Sequence, residues 1–79
     1  MKDTLEYLLR NIVDVPDDIT IDESEDNGKT ILTVHVHKDD MGKVIGKQGR
    51  IIRAIRDLVK LVAAKRNSFV DVVLSEEKM

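Results

Sequence analysis

Apolar residues near the amino terminus recur at the i, i+3, i+4, i+7 spacing that is typical of an amphipathic helix. They are Leu5, Leu8, Leu9 and Ile12. We expect Asp3 or Thr4 to cap this helix, because short polar side chains accept hydrogen bonds from the free N–H groups of a first turn. Pro16 should end the helix soon after Ile12, since the residue before a proline avoids helical geometry.

Two segments in the middle of the chain alternate between apolar and polar residues, as half-buried strands do. Ile19–Asp22 predicts a short strand at a sheet edge, and Thr30–His37 predicts a longer strand. The inward face of the longer strand comprises Leu32, Val34 and Val36. The turn between the strands covers Ser24–Gly28 and contains Asn27-Gly28, a strong hairpin signal.

The second half of the chain predicts two helices. A short helix over Met41–Ile45 should be capped by Asp39 or Asp40. A long helix from Arg50 to about Lys65 carries one continuous apolar stripe and is broken by Asn67-Ser68.

Phe69–Leu74 predicts a last strand, and Ser75–Met79 predicts a frayed polar tail. The tight turn should make the first two strands antiparallel, and the helix pair suits a parallel connection to the third. We therefore expect one α+β domain over residues 1–79, with the order α-β-β-α-α-β. It should have a mixed three-stranded sheet with three helices on one face, and with His35 and Asp71 on the other.

Charge separates along the chain although the net charge is only −2. Residues 1–40 carry eleven acidic residues and four basic ones, a net charge of −7, whereas residues 41–79 carry nine basic and four acidic residues, a net charge of +5. Between residues 43 and 66, Asp57 is the single acid beside eight bases. The isoelectric point near 5.6 argues against strong non-specific binding to nucleic acid, so affinity should come from a local basic site.

The basic segment surrounds the loop Gly46-Lys47-Gln48-Gly49, which lies between the two predicted helices. Glycine has no Cβ, so the backbone can adopt a positive φ and approach a ligand closely. Free amides at the start of the second helix, together with its dipole, favour a phosphate, and Lys47 and Arg50 add positive charge. The loop therefore predicts a contact with a nucleic-acid backbone.

Other chemistries fit the chain less well. A phosphate-hydrolase loop is excluded because Gly42 and Gly46 enclose three residues rather than four, and Gln48 replaces the hydroxyl that holds magnesium. A group that superficially resembles a metal cluster comprises His35, His37, Asp39 and Asp40. Solvent-facing strand positions and a helix cap account for that group more simply. The chain has no cysteine and no Ser/His/Asp set, so we expect no enzyme, no metal and no cofactor.

Aromatic residues are scarce, since Tyr7 and Phe69 are the only two. The base-stacking platforms of RRM, OB-fold and cold-shock proteins cannot be built from them. We expect Tyr7 to cover the core edge, and Phe69 to pack beneath the sheet or at a subunit contact. Ile51 and Leu58 or Leu61 fall outside the buried stripe of the long helix, and a contiguous exposed group there would mark a partner surface.

The segment around the glycine loop closely resembles the signature of KH domains, an apolar-Ile-Gly-x-x-Gly-x-x-Ile pattern. The matching residues are Val44, Ile45, Gly46, Gly49 and Ile52. The element order resembles the type II KH fold of bacterial proteins, and residues 40–51 are similar to the KhpA/YlqC family of small bacterial KH proteins. The resemblance spans nearly the whole chain.

This resemblance implies that single-stranded RNA lies beside the loop, with about four bases across an aliphatic groove. The residues implied to hold the RNA backbone are Gly46, Lys47, Gln48 and Gly49. The implied cations are Lys43, Arg50 and Arg53, and the implied groove residues are Ile45 and Ile52.

The resemblance further implies an RNA chaperone or post-transcriptional regulator with a role in cell elongation and cell-wall synthesis. It also implies a homodimer, or a heterodimer with a larger Jag-type (KhpB) RNA-binding protein. The amino terminus lacks the apolar segment of a signal peptide, and no run reaches membrane-spanning length, which predicts a cytoplasmic protein without membrane contact. The acidic first half favours one alternative, a protein-interaction module (a dimerisation adaptor) with little RNA binding of its own.

Overall fold

A computed structural model describes residues 1–75 of the chain. Its helices and strands are α1 (Lys2–Arg10), β1 (Thr20–Asp26), β2 (Lys29–His35), α2 (Met41–Ile45), α3 (Arg50–Lys65) and β3 (Val70–Leu74). Short 3-10 turns occupy Pro16–Asp18, Lys38–Asp40 and Lys47–Gly49. The predicted α+β class and the order α-β-β-α-α-β are confirmed.

The sheet has the strand order β1-β2-β3. β1 pairs with β2 in the antiparallel sense, with Ile21 opposite Val34, and β2 pairs with β3 in the parallel sense, with Thr30 opposite Val70. The α2–α3 pair forms the crossover that a parallel connection requires. The predicted mixed sheet is therefore confirmed.

The core lies between the sheet and the three helices, and every helix and strand contributes to it. Its largest fully buried apolar side chains are Leu5, Leu9, Leu32, Val34, Val44, Val59 and Val72. Each such side chain contributes about 1.5–3 kcal/mol when it leaves water, so the core is the main stabilising feature of the fold.

The predicted cap of α1 is wrong. The helix begins at Lys2, so Asp3 and Thr4 lie inside its first turn, and Met1 occupies the cap position. Met1 packs against the core and its carbonyl accepts a hydrogen bond from the Leu5 N–H at 3.1 Å. Burial of the Met1 side chain thus extends the helix beyond the capping residues that the sequence offered.

β1 is longer than predicted. It begins at Thr20 and continues to Asp26, so the turn shrinks to Asn27 and Gly28, whose φ angles are 52° and 82°. Ile21 is the one buried residue of β1, and the rest of the strand is exposed at the sheet edge. The acidic residues after Asp22 show no apolar alternation because neither of their faces is buried.

Asp40 stands at the cap position of α2, but its side chain does not cap that helix. Its carboxylate is 1% exposed and accepts hydrogen bonds from the backbone N–H groups of Asp14 at 3.1 Å and Val15 at 2.9 Å. The predicted capping role is therefore wrong, because the carboxylate joins the segment after α1 to the start of α2. Asp39 is not the cap either, since it lies within the 3-10 turn.

α3 ends in a Schellman motif. Asn67 is left-handed, with φ 57°, and its N–H donates to the Ala64 carbonyl at 3.0 Å, while the Ser68 N–H donates to the Ala63 carbonyl at 2.9 Å. The predicted break at Asn67-Ser68 is confirmed, and the chain turns directly into β3.

The predicted polar tail lies mostly outside the described residues. Ser75 is described, and its N–H donates to the Val34 carbonyl at 2.8 Å, which extends the β2–β3 pairing by one bond. Among residues 1–75, no helix is both long and apolar enough to cross a membrane.

Candidate nucleic-acid interface

The loop between α2 and α3 is an exposed bend built on three positive φ angles. Gly46 ends α2 with φ 76° and ψ 176°, and Gly49 precedes α3 with φ 73° and ψ 17°. Gln48 is also left-handed, with φ 58°, a geometry that costs an L-residue about 1–2 kcal/mol. The bend turns the chain sharply and leaves Lys47 and Gln48 at its exposed tip.

Gly46 must be glycine for a second reason, which is the close approach of the next helix. A Cβ atom built on Gly46 would lie 2.5 Å from Ile51 Cγ1 and 2.8 Å from Ile51 Cβ. The first turn of α3 therefore packs directly on the backbone where α2 ends, and this contact fixes the angle of the bend. By contrast, a Cβ atom on Gly49 would meet nothing within 4 Å.

The amide groups of the bend divide into two sets. Gly49 N–H donates to the Gly46 carbonyl at 3.2 Å, and Arg50 N–H donates to the Lys47 carbonyl. The N–H groups of Lys47 and Gln48 open the 3-10 turn, so neither has an acceptor within that turn, and both residues are exposed. The prediction of a free amide at the start of α3 is thus wrong for Arg50, whose N–H is engaged within the bend.

Three cations project around the tip. Lys47, Arg50 and Arg53 are all exposed, with Arg50 and Arg53 one turn apart on α3. Together with the N–H groups that open the 3-10 turn and the positive end of α3, they form a site for an anion such as a phosphate.

Lys43 differs from these three cations because it is already engaged. Its ammonium bonds the Asp14 carboxylate and lies 3.8 Å from Asp40 Oδ1. The hydrogen bond with Asp14 raises the pKa of Lys43, so the side chain stays charged while its charge is partly balanced. Lys43 lies beside the loop, but it offers less net positive charge than the sequence suggested.

The two predicted groove residues have different surroundings. Ile52 is half-buried and packs against the core, whereas Ile45 is half-buried at the end of α2, directly before the bend. Both keep part of their aliphatic surface accessible, one shortly before the loop in sequence and one shortly after it.

Further along α3, Arg53, Arg56 and Lys60 form a basic stripe. Asp71 of β3 lies close to two of these residues. The Asp71 Oδ1 atom is 3.9 Å from the Arg56 guanidinium and 3.7 Å from the Lys60 ammonium. The carboxylate holds these two long side chains against the seam between α3 and β3. The stripe is continuous with the cations of the tip.

The residues of the metal-cluster alternative do not form one ligand set, although His37 Nδ1 lies 3.8 Å from Asp39 Oδ2. His35 Nε2 lies 3.1 Å from Asp22 Oδ2, and His37 Nδ1 accepts a hydrogen bond from the Asp39 N–H. The Asp40 carboxylate points to the segment after α1. Within residues 1–75 there is no group of three or more such side chains arranged to hold a metal.

Two features of the site were missed from the sequence. Lys43 pairs with Asp14 across 29 positions, and Arg56 pairs with Asp71 between two elements. No local pattern signals either pair. The contact of Ile51 with Gly46 was not signalled either, because Gly49 is the glycine that directly precedes α3 and it has no close neighbour.

A mixed three-stranded sheet packed against three helices, with an exposed G-x-x-G bend between two of them, is the architecture of a type II KH domain. The profile of the KH-domain family described as KhpA/KhpB matches residues 2–74 of the chain. The chain belongs to this KhpA/KhpB family of KH domains. The family is not a family of enzymes, which confirms that part of the prediction.

Similar proteins from three bacteria all carry the name RNA-binding protein KhpA. The one from Chlamydia pneumoniae is 42% identical over 78 residues, which cover 99% of this chain and all of the relative. The one from Clostridium acetobutylicum is 46% identical over 67 residues, covering 85% of this chain and 89% of the relative. The one from Halalkalibacterium halodurans is 44% identical over 66 residues, covering 84% and 87%.

Proposed function

We propose that this protein binds single-stranded RNA through the bend at residues 46–49. The observation that carries the proposal is the exposed tip itself, where the first N–H groups of the 3-10 turn lie beside the exposed cations Lys47, Arg50 and Arg53. KH domains hold a sugar-phosphate backbone on such a loop. The names of the relatives and the family of the chain support the same ligand.

The surroundings of the tip favour an unpaired strand over a duplex. The phosphates lie at the tip, and Ile45 and Ile52 offer aliphatic contact for bases that are not stacked in a helix. Bases reach such a surface when the strand is single. The charge of Lys43 is balanced by Asp14, so Lys43 contributes more to orienting the RNA strand than to the net positive charge of the site.

A double variant of the tip tests the proposal. Lys47→Asp with Gln48→Asp adds three negative charge units where phosphates bind, and both side chains are exposed, so the fold should remain. We expect RNA affinity to fall by at least about tenfold, because like charges then face each other at short range. Fluorescence anisotropy with a labelled single-stranded RNA measures the change, and circular dichroism checks the fold.

The matched control is Lys2→Asp with Asn27→Asp. It makes the same charge change on the acidic half, at a first helical turn and in an Asp-Gly turn, both of which accept aspartate. RNA binding by the control should stay within about twofold of the unmodified chain, since surface charges farther apart than the Debye length are screened. An unchanged affinity in a folded tip variant would remove the loop from the mechanism.

We also propose the finer role that family membership supports, an RNA chaperone or post-transcriptional regulator in the cytoplasm, linked to cell elongation and cell-wall synthesis. The rate at which two complementary RNA strands anneal, with and without the protein, tests the chaperone activity. Normal cell length after deletion of the gene would count against the role in elongation.

A dimer is part of the proposal, either with a second copy or with a larger Jag-type (KhpB) RNA-binding protein. An exposed apolar stripe on α3 supports it. The stripe comprises Ile51, Leu58 and Leu61, the last of them 62% exposed. The same stripe favours the alternative function, a protein-interaction module with little RNA binding. Genuine contact with phosphates should weaken between about 50 and 200 mM salt, whereas absence of RNA binding at both concentrations would favour the alternative.

A further inference from the structure

Phe69 is the most exposed large apolar side chain among residues 1–75, with 74% of its surface accessible. The expectation that it packs beneath the sheet is wrong. It lies at the junction of α3 and β3, directly before Val70. The ring is therefore available for contact with a ligand.

The backbone holds Phe69 firmly although its ring is exposed. The Schellman motif at Asn67 fixes the end of α3, and the Phe69 carbonyl accepts a hydrogen bond from the Thr30 N–H at 2.9 Å. The residue is thus tied to both neighbouring elements. A ring presented from a rigid backbone loses little entropy when it contacts a ligand.

Beside the ring lies a cleft of about 560 Å³, which we call the Phe69 cleft. Buried Val70 and the small side chain of Ala64 give it apolar surface, and Lys29 and Lys60 also line it. The volume falls within the range of about 300–1,000 Å³ that is usual for small-ligand sites. The cleft therefore combines an aromatic face, an apolar surface and two ammonium groups.

The cleft is continuous with the candidate RNA interface. α3 runs from the glycine loop to the cleft, a path of about 21 Å from Arg50 to Ala64 at 1.5 Å per residue. The basic stripe Arg53, Arg56 and Lys60 lies along this path, and Lys60 belongs both to the stripe and to the cleft. Positive charge thus leads from the tip of the loop towards the Phe69 ring, partly balanced by the Asp71 carboxylate beside Arg56 and Lys60.

We propose that the Phe69 cleft binds one nucleotide of an RNA strand that continues beyond the glycine loop. Its base stacks on the Phe69 ring and its phosphate lies beside Lys29 and Lys60. The inference rests on the proposed RNA binding and extends it, since the site lies past the four nucleotides that a KH loop and groove hold. One ring does not form a stacking platform, but it suffices for one base.

Binding of RNAs of two lengths separates this site from the loop. The probes are labelled, randomised single-stranded RNAs of about four and about ten nucleotides, and the variant is Phe69→Ala. For the longer RNA, we expect the variant to bind about tenfold more weakly, a typical loss when one stacked base loses its aromatic partner. For the shorter RNA, affinity should be unchanged.

The matched control is Tyr7→Ala, which removes the other exposed aromatic ring, 69% accessible, from a surface lined by Asp3 and Glu6. It should leave binding of both RNAs unchanged. Because Phe69 is the single phenylalanine of the chain, its ring resonances in an NMR spectrum are unambiguous. They should shift with the longer RNA and stay in place with the shorter one.

A charge variant tests the phosphate contact. Lys29→Gln should reduce the slope of log affinity against log salt by about 0.7 for the longer RNA, as expected for one lost phosphate on a single strand. Lys2→Gln, the control on α1, should leave the slope unchanged.

The failures are distinguishable. If the longer RNA binds in a loop-dependent way but Phe69→Ala has no effect, the cleft is overturned while the loop proposal stands. If neither RNA binds the unmodified chain, both proposals fail. If adenosine monophosphate alone shifts the Phe69 ring resonances and binds as tightly as the longer RNA, the cleft is a site for free nucleotides. If Phe69→Ala converts a dimer into a monomer, the cleft is a subunit contact. Either result would overturn the proposal that the Phe69 cleft binds a nucleotide of a longer RNA strand.

Discussion

Gly46 and Gly49 share a positive φ, yet only Gly46 is also crowded by a neighbouring side chain. The backbone of Gly46 combines φ 76° with an extended ψ, a region that is nearly specific to glycine. Gly49 is left-handed in the ordinary way, which other residues adopt at a moderate cost. The two positions should therefore respond differently to the same substitution.

We predict that Gly46→Ala destabilises the fold by about 1–3 kcal/mol from backbone strain alone, and by more once the clash with Ile51 is included. Gly49→Ala, the matched control, should cost about 1–2 kcal/mol. Urea unfolding followed by circular dichroism gives both free energies of unfolding. A Gly49→Ala variant that is less stable than Gly46→Ala would contradict this account of the bend.

At the scale of the elements, α2 depends on its surroundings, because a helix of five residues is not stable alone in water. Val44 anchors it in the core, and the Asp40 carboxylate ties its start to the N–H groups of Asp14 and Val15. Burial alone would raise the pKa of Asp40. The two hydrogen bonds, helped by the charge of Lys43, outweigh burial and hold the pKa of Asp40 below its usual value.

The sign of the resulting pH dependence follows from the lowered pKa of Asp40. The ionised carboxylate stabilises the fold above the ordinary carboxyl pKa near 3.8, and this contribution is lost as the pH falls through the lower pKa of the folded state. We predict that Asp40→Asn lowers Tm by several degrees at pH 7, since the amide replaces one of the two acceptor oxygens with a donor.

Thermal unfolding between about pH 7 and pH 3 measures the effect. The difference in Tm between the unmodified chain and Asp40→Asn should shrink as the pH falls below 4, because the carboxyl group of the unfolded chain, which has the higher pKa, takes up a proton first. Asp39→Asn is the control, because the Asp39 carboxylate is exposed and, unlike that of Asp40, accepts no hydrogen bond from a backbone N–H group of residues 1–75. A Tm difference that stays constant down to pH 3 would rule out a stabilising role for the ionised Asp40 carboxylate.

Elements with an apolar period could be predicted from the sequence, and elements held by distant partners could not. The stripe of α3 and the alternation of β2 follow directly from burial on one face. The extension of β1 to Asp26 arises from pairing with β2 alone, so its acidic residues carry no pattern. The bend between α2 and α3 could be predicted because Gly46 to Arg50 are contiguous, whereas the Asp14–Lys43 pair exists only after folding.

At the scale of the whole molecule, the exposed face of α3 bears on assembly. We predict that Leu61→Asp converts a dimer into a monomer, because a carboxylate cannot enter an apolar interface without a partner. Sedimentation or light scattering should show the mass fall from about twice to once the 9.0 kDa of the chain. Tyr7→Asp, an equally exposed substitution on α1, should leave the mass unchanged. A chain that is monomeric before any substitution would reject the homodimer.

Charge is also organised at this scale. Four of the eleven acidic residues of the first half lie on β1, and the other seven lie on α1, just after it, or in the 3-10 turns, whereas the described bases of the second half lie along α2, the loop and α3 and at the end of α3. An anionic strand is therefore drawn to one side of the molecule and repelled from the other, although the net charge is negative. This arrangement lets the domain bind locally without attracting RNA over its whole surface.

The acidic outer strand has one more consequence. β1 leaves the hydrogen-bonding groups of its outer edge open, and an open edge is a template on which a foreign strand can add. Asp22, Glu23, Glu25 and Asp26 surround that edge with carboxylates on both faces. Two copies that meet edge to edge repel each other, so the same charges that steer RNA away also protect a crowded solution from fibril growth.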